Sequence, residues 1–356
     1  MKQVLVLLIV GSLLSCGAKH EQEKSLSPDA KSVVWQMPDT ATYARVGKTK
    51  LSDYGFFKGK LANLEPTDRV FPYDINTPLF TDYALKKRFI YLPEGTEITY
   101  NEEDVLEFPV GAVLIKNFYY SHEQLEAGTG KILETRLLIH EESGWKALPY
   151  LWDPEQTEAY LEITGRQMSV KLASGIGVAY AVPNMQQCKS CHDIGGKIVP
   201  IGPSARQLNK VHEEGIENQL AQLVAMGWLK EAPAQDQWPL LVNWEDGSAS
   251  LKDRARAYLE INCAHCHRKD GPAKNSGLDL TRNAAASTMG VFKAPVAAGK
   301  GSGGLKYDIV PGKPDKSILI YRMESNDPAI MMPELGRSIV HKEGVELIKE
   351  WVRGME

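Results

Sequence analysis

Leu251-Lys252-Asp253-Arg254-Ala255-Arg256-Ala257-Tyr258-Leu259-Glu260-Ile261-Asn262-Cys263-Ala264-His265-Cys266-His267 reads as one helix running into a Cys-x-x-Cys-His pentapeptide. Ala255, Tyr258, Leu259 and Ile261 fall at helical spacing on its apolar side. The pentapeptide recurs as Cys188-Lys189-Ser190-Cys191-His192. On a helix, positions i and i+3 share a face, so two thiols at that spacing can reach one edge of one porphyrin. The histidine that follows turns its imidazole onto the iron, and this spelling is that of a c-type haem attachment site. A zinc site made of two Cys-x-x-Cys pairs separates them by about 15–20 residues, whereas Cys191 and Cys263 lie far further apart. A thioredoxin-like redox pair calls for a βαβ pattern nearby, and none is visible. With 8 histidines in 356 residues, chance puts one after a given cysteine about once in 44 times. The expectation is two covalently bound haem c groups, one on Cys188 and Cys191 with His192 as iron ligand, the other on Cys263 and Cys266 with His267.

The fifth cysteine is Cys16. Met1-Lys2-Gln3 precedes a run from Val4 to Leu14 that is apolar except at Gly11 and Ser12. That is a positive n-region and an h-region too short to span a bilayer. Leu13-Leu14-Ser15-Cys16-Gly17 resembles the lipobox of bacterial lipoproteins, in which the cysteine is acylated and becomes the mature N-terminus. The alternative is an ordinary secretory signal with a stray cysteine. Both send the chain to the compartment where c-type haems are assembled. Several acyl chains on Cys16 give lasting membrane attachment, and by resemblance to known sorting patterns Gly17 after the cysteine points to the outer membrane. Residues 1–15 are therefore expected to be a lipoprotein signal peptide. Residues 16–65 are expected to be a lipidated N-terminus and flexible tether, polar around His20-Glu21-Gln22-Glu23-Lys24-Ser25. The mature protein would face the periplasm.

The net charge of −4 and the lack of a Lys/Arg block give no sign of a nucleic-acid partner. Over 66–183 the signals are β-type. Leu133, Thr135, Leu137 and Ile139 alternate with Glu134, Arg136 and His140, as in a half-buried strand. Arg88–Leu92, two runs within Val105–Tyr120, and Val178–Val182 read as further strands, with a turn at Gly128-Thr129-Gly130. After Pro183 the pattern turns helical: Asn184–His192, Ala205–Val211, Ile216–Leu229, a Pro/Trp-rich linker over Ala232–Ser250, then Leu251–His267 and Glu343–Val352. The predicted architecture is multidomain α+β: an N-terminal antiparallel β-sandwich-like domain (66–183), then two mainly α-helical cytochrome c-type haem units. The first unit with its linker covers 184–249 and the second covers 250–356. Trp351 on the last helix suits either a haem-packing helix or plain core.

Sixth ligands separate a carrier from a catalyst. Met332 precedes Pro333, which biases it away from helix into an extended loop; its soft sulfur suits ferrous haem and raises the potential. Met331 points the other way and reads as core, and His341 starts the last helix and reads as exposed. For the first haem Met226 is the leading candidate, ahead of His212, Met168, Met185 and an open iron. Gly271-Pro272 and Pro200-Ile201-Gly202-Pro203 occupy places from which a carbonyl can orient each proximal imidazole, unless they are simple turns.

From about 66 to 354 the chain resembles a family of bacterial diheme c-type cytochromes, many of them lipoproteins, with a β-rich N-terminal domain. The resemblance rests on Thr77-Pro78-Leu79-Phe80-Thr81-Asp82-Tyr83-Ala84-Leu85-Lys86-Lys87-Arg88, Phe108-Pro109-Val110-Gly111, Glu134-Thr135-Arg136-Leu137-Leu138, Asn262–His267, Ser276-Gly277-Leu278-Asp279-Leu280 and Met332-Pro333-Glu334-Leu335-Gly336. It implies two haems and export, with no established reaction; members tend to be encoded beside a parallel β-helix protein, a candidate partner. Electron transfer with redox partner proteins is the expected function. The alternatives are a peroxidase-like enzyme with an open first haem, using His140 or Glu134 as acid/base, and a partner-binding β-domain with accessory haems.

Overall fold

Val113-Leu114-Ile115-Lys116-Asn117-Phe118-Tyr119-Tyr120 is rich in β-branched and aromatic residues and lies inside an antiparallel sheet. In the computed structural model, which describes residues 45–126, 130–296 and 299–356 with Trp35, Met37 and Tyr43, six strands pair in chain order. They are β1 (Val70–Tyr73), β2 (Leu85–Tyr91), β3 (Val113–Tyr120), β4 (Lys131–Glu141), β5 (Gly144–Trp152) and β6 (Ala159–Leu161). A hairpin of β7 (Arg166–Lys171) and β8 (Gly177–Val182) brings Val178, Tyr180 and Val182 onto Phe118, Tyr120 and Leu151. The proposed signal peptide, Cys16 and the turn residues 128 and 129 lie outside the described residues.

Alternation in β4 predicts one wet face, but both faces are covered. One carries Ile115, Leu137, Leu148 and Tyr150 into a core with Leu51, Phe56 and Leu64. The other carries Glu134, fully buried, and beside it Leu138 and Arg136, which line a cavity.

The expected sandwich followed by two mainly helical haem units does not form. There is one six-stranded sheet, and the helices beyond it are short: α1 (Met185–His192), α2 (Ala205–Leu208), α3 (Gln219–Ala225), α4 (Leu251–Leu259), α5 (Ile318–Met323) and α6 (Lys342–Arg353). Short helices are marginal alone and exist by tertiary packing. Ala205, Leu208, Leu220, Leu223 and Trp228 bury themselves with Phe71, Tyr73, Ile90 and Leu92, so the segment 184–249 shares the sheet's core. Leu229–Lys230 even pairs in parallel with Ile98–Thr99. Between Gly271 and Val340 recurring glycine and proline leave α5 as the one α-helix among the described residues.

α4 stops at Leu259 and widens into a π turn over Glu260–Ala264. α6 packs against α4, with Val345, Ile348, Trp351 and Val352 joining Tyr258, Leu259 and Trp244. Gly344 marks the closest approach, since a Cβ there would overlap the Tyr258 ring. Gly344→Ala is expected to lower stability by about 1–3 kcal/mol through overpacking. An unchanged urea midpoint would show that the crossing is looser than described.

The segment Thr77–Arg88 straps the sheet to the rest. Thr77 Oγ1 donates to the Val242 carbonyl (2.6 Å), and Phe80 N–H donates to Asn262 Oδ1 (2.9 Å). Asp82 accepts from the N–H groups of Ser338 (2.7 Å) and Ile339 (3.0 Å), and Tyr83 Oη donates to Glu343 Oε2 (2.7 Å).

Candidate functional site

α1 begins at a capping box: Asn184 Oδ1 accepts from Gln187 N–H (2.8 Å) and Gln187 Oε1 from Asn184 N–H (2.9 Å). That fixes the first motif in helical geometry, with Cys188 buried. After His192 the chain turns back in a small hairpin, Asp193–Ile194 against Lys197–Ile198. Gly195 and Gly196 have φ of 59° and 84°, which a two-residue turn of this twist requires at both positions. The return places the Val199 carbonyl 2.8 Å from His192 Nδ1, directly before the proline loop expected to supply it.

The second motif starts in the π turn, an irregularity common at functional sites. Here the imidazole is held by a side chain in place of a carbonyl of Gly271-Pro272. His267 Nδ1 lies 3.0 Å from Ser276 Oγ. That hydroxyl spends its only hydrogen on the Ala273 carbonyl (2.7 Å), so His267 Nδ1 must be the donor. Both rings are thus held as Nδ1–H tautomers with Nε2 carrying a free lone pair. Burial pushes both imidazoles down to about 4, so they are neutral at pH 7. The four described cysteines are free. Burial raises Cys188 to about 11 and Cys263 and Cys266 to about 12, so little thiolate is present for disulfide exchange or zinc binding. Among the described residues no group of three or more His, Cys, Asp or Glu is placed to hold a metal ion directly.

A cavity of about 170 Å³ connects the two motifs. Cys188, Cys191, His192 and Cys263 line it, and so does Met332. Cys266 and His267 are not among its lining residues. The loops that follow the two motifs touch, Gly195 N–H donating to the Asp270 carbonyl (3.0 Å). The Met332 loop is held by the buried Arg337, whose Nη2 donates to the carbonyls of Ser325 (2.8 Å) and Met332 (2.9 Å). Met331 is core, as expected, and Trp351 is also buried in core.

His341 is not exposed. Its ring stacks on Phe80 at 4.0 Å, its Nδ1 lies 3.0 Å from Tyr258 Oη, and it lines the cavity. The candidates for the first haem's sixth ligand are not brought to the cavity. Met226 caps α3 at the surface, 47% exposed. His212 faces Asp74 (3.5 Å). Met168 packs at the β7–β8 hairpin and Met185 against the sheet's far core. The acid/base candidates are committed elsewhere: Glu134 accepts from Arg136 Nε (2.9 Å) and Tyr180 Oη (2.6 Å). His140 Nδ1 lies 2.9 Å from the Phe108 carbonyl, with its ring stacked on Trp145 at 4.6 Å.

Sequence reasoning overlooked the polar wall of the cavity, Arg88, Lys116 and Arg136, whose signal was a basic residue interrupting each of three apolar strands. No family model, no curated protein and no solved structure matches this chain. The residues present suit haem c: paired thiols next to imidazoles of fixed tautomer, a shared hollow, a thioether facing it, and the buried Arg88 Nη2 with no hydrogen-bond partner.

Proposed function

We propose that this chain is an exported diheme c-type cytochrome that carries electrons, held at the outer membrane by acyl chains on Cys16. The observation that carries the reading is a cavity lined by residues of both Cys-x-x-Cys-His motifs, with Met332 in its wall. Bound haem would supply a one-electron iron couple. The chain's own part is to position and insulate. His192 and His267 present Nε2, while the Val199 carbonyl and Ser276 hydroxyl fix their rings, which makes the imidazoles better donors. Met332 offers a soft sulfur, and such ligation raises the potential. The contact between the two post-motif loops favours passage of electrons between the centres. Redox proteins are the partners proposed, with a parallel β-helix protein a candidate through the family resemblance.

The test is intact mass and pyridine haemochrome of the exported protein. Two haems per chain are expected, and none would sink the reading. Met332→Ala should retain two haems yet lose the sulfur-to-iron charge-transfer band; a surviving band would remove Met332 as ligand. Electron paramagnetic resonance of the ferric protein distinguishes the roles. Two low-spin signals fit a carrier, whereas a persistent high-spin signal marks an open iron and favours peroxide chemistry.

A further inference from the structure

Strand register places Arg88 opposite Lys116, and Lys116 opposite Arg136. Three cations therefore stand side by side across the middle of the sheet, and all three line the cavity that Cys188, Cys191 and His192 also line. Like charges directly opposite on neighbouring strands are destabilising. Two residues along on the same face, Lys86 adds a fourth, its Nζ donating to the Leu79 carbonyl (2.9 Å).

The anions nearby do not balance this row. Glu134 is taken by Arg136 and Tyr180, and Asp82 by the N–H groups of Ser338 and Ile339. Asp74 accepts from Glu213 N–H (3.1 Å) and faces His212. Among the described residues Arg88 makes no ion pair, although it is only 7% exposed and its Nη2 is buried without a partner. Lys116 has no carboxylate partner either, and its ammonium lies over the Phe118 ring, 4.9 Å from the centroid. Burial and the neighbouring cations push Lys116 well below the usual lysine range. A buried charge is costly unless paired, and beyond Arg136, which Glu134 pairs, a carboxylate or other oxyanion in the hollow would offset that cost.

We propose that Arg88 and Lys116, with Lys86 behind them, bind the propionate carboxylates of the haem attached at Cys188 and Cys191. This rests on the haem reading above and adds to it the polarity of the site. The thioether edge of a bound haem would lie at α1, which carries Cys188 and Cys191, and its acidic edge toward the cation row on β2 and β3. The row also sets the redox poise of that centre, because nearby positive charge disfavours the ferric state.

The two readings can fail separately. Intact mass of the wild type first counts haems, and a count of zero removes both. With two haems present, Arg88→Gln and Lys116→Met are compared with Lys87→Met, whose outward-facing lysine is paired with Glu214 (3.6 Å). Redox titration and the resonance Raman propionate bending band are the readouts. In Arg88→Gln and Lys116→Met the band should shift, and one of the two potentials should fall by about 59 mV or more, a tenfold change in a one-electron equilibrium. Lys87→Met should move neither. Should Lys116→Met fail to fold, Lys116→Arg serves, with band and potential near wild type expected. Unchanged bands and potentials in variants that keep both haems would overturn the proposal, as would equal shifts in Lys87→Met. So would an optical shift on adding nitrite to the wild type that Lys116→Met abolishes while the propionate band stays put, because the row would then hold a small anionic substrate.

Discussion

Asp82→Ala should cost about 2–6 kcal/mol and loosen the strap from the chain at Ser338 and Ile339. The side chain is 2% exposed. It takes the N–H groups of Ser338 and Ile339 and the Ser338 hydroxyl (3.0 Å). Removing it leaves two partly buried backbone donors unmet, at roughly 1–3 kcal/mol each as an upper range. Backbone adds to this, since Asp82 and Tyr83 have φ of 48° and 61°, a region that Asp tolerates better than Ala. Burial holds the carboxyl above its usual range, so the negative charge is not what stabilises; the acceptor atoms are. Asp82→Asn, keeping one acceptor and the shape, should therefore recover most of the loss. Urea midpoints for the two variants decide the matter, and an Asp82→Ala midpoint equal to wild type would show that the strap carries no stability.

Acid should unfold this protein well before carboxylates titrate. His192, His265, His267 and His341 are each pushed down to about 4 by burial, against about 6.5 in an unfolded chain. Above pH 6.5 both states hold these rings neutral and stability is undiminished. Between pH 6.5 and 4 the unfolded chain binds protons that the folded one refuses, so stability falls by about 1.4 kcal/mol per pH unit for each such histidine. Below about 4 both states are protonated and the loss levels off. Iron bound at the two Nε2 atoms would act in the same direction. Asp82 and Asp308, raised by burial, oppose it. From pH 6.5 to 5 the net loss should be on the order of 5 kcal/mol. Equal urea midpoints at pH 7 and 5, at constant ionic strength, would contradict this account.

Local signals were legible where the chemistry is local. The capping pair Asn184 and Gln187 marks the start of α1, and strand formers mark β2 through β4, so these elements lie near their expected places. The two pentapeptides identify the thiols and imidazoles without help from the fold. Non-local facts were not legible. Nothing in the spelling of Leu251–His267 reveals that the helix widens at Glu260, because α and π turns draw on the same residues. The first helical unit failed because apolar stripes such as Leu220 and Leu223 record that a face is buried, not what buries it, and here the sheet does so. Met226 was chosen for its type and its place at a helix end, where the chain in fact meets water. Arg88, Lys116 and Arg136 are scattered in sequence, and register alone makes them neighbours. Ser276 stood in one of the stretches that carry the resemblance, but nothing there gave it a role; that depends on the turn that brings Ala273 within reach of its hydroxyl.

The closed setting of Cys188 also favours an order of events. Its thiol is buried against the sheet in the finished fold, and α1 and the hairpin behind it are already tied to Val199. A porphyrin is too large to slip past packed side chains, which leave few gaps beyond the size of water. A haem joined to that sulfur would therefore enter more easily while α1 is still undocked. Maturation would then precede closure of the chain, and a molecule that folded first would mature less readily.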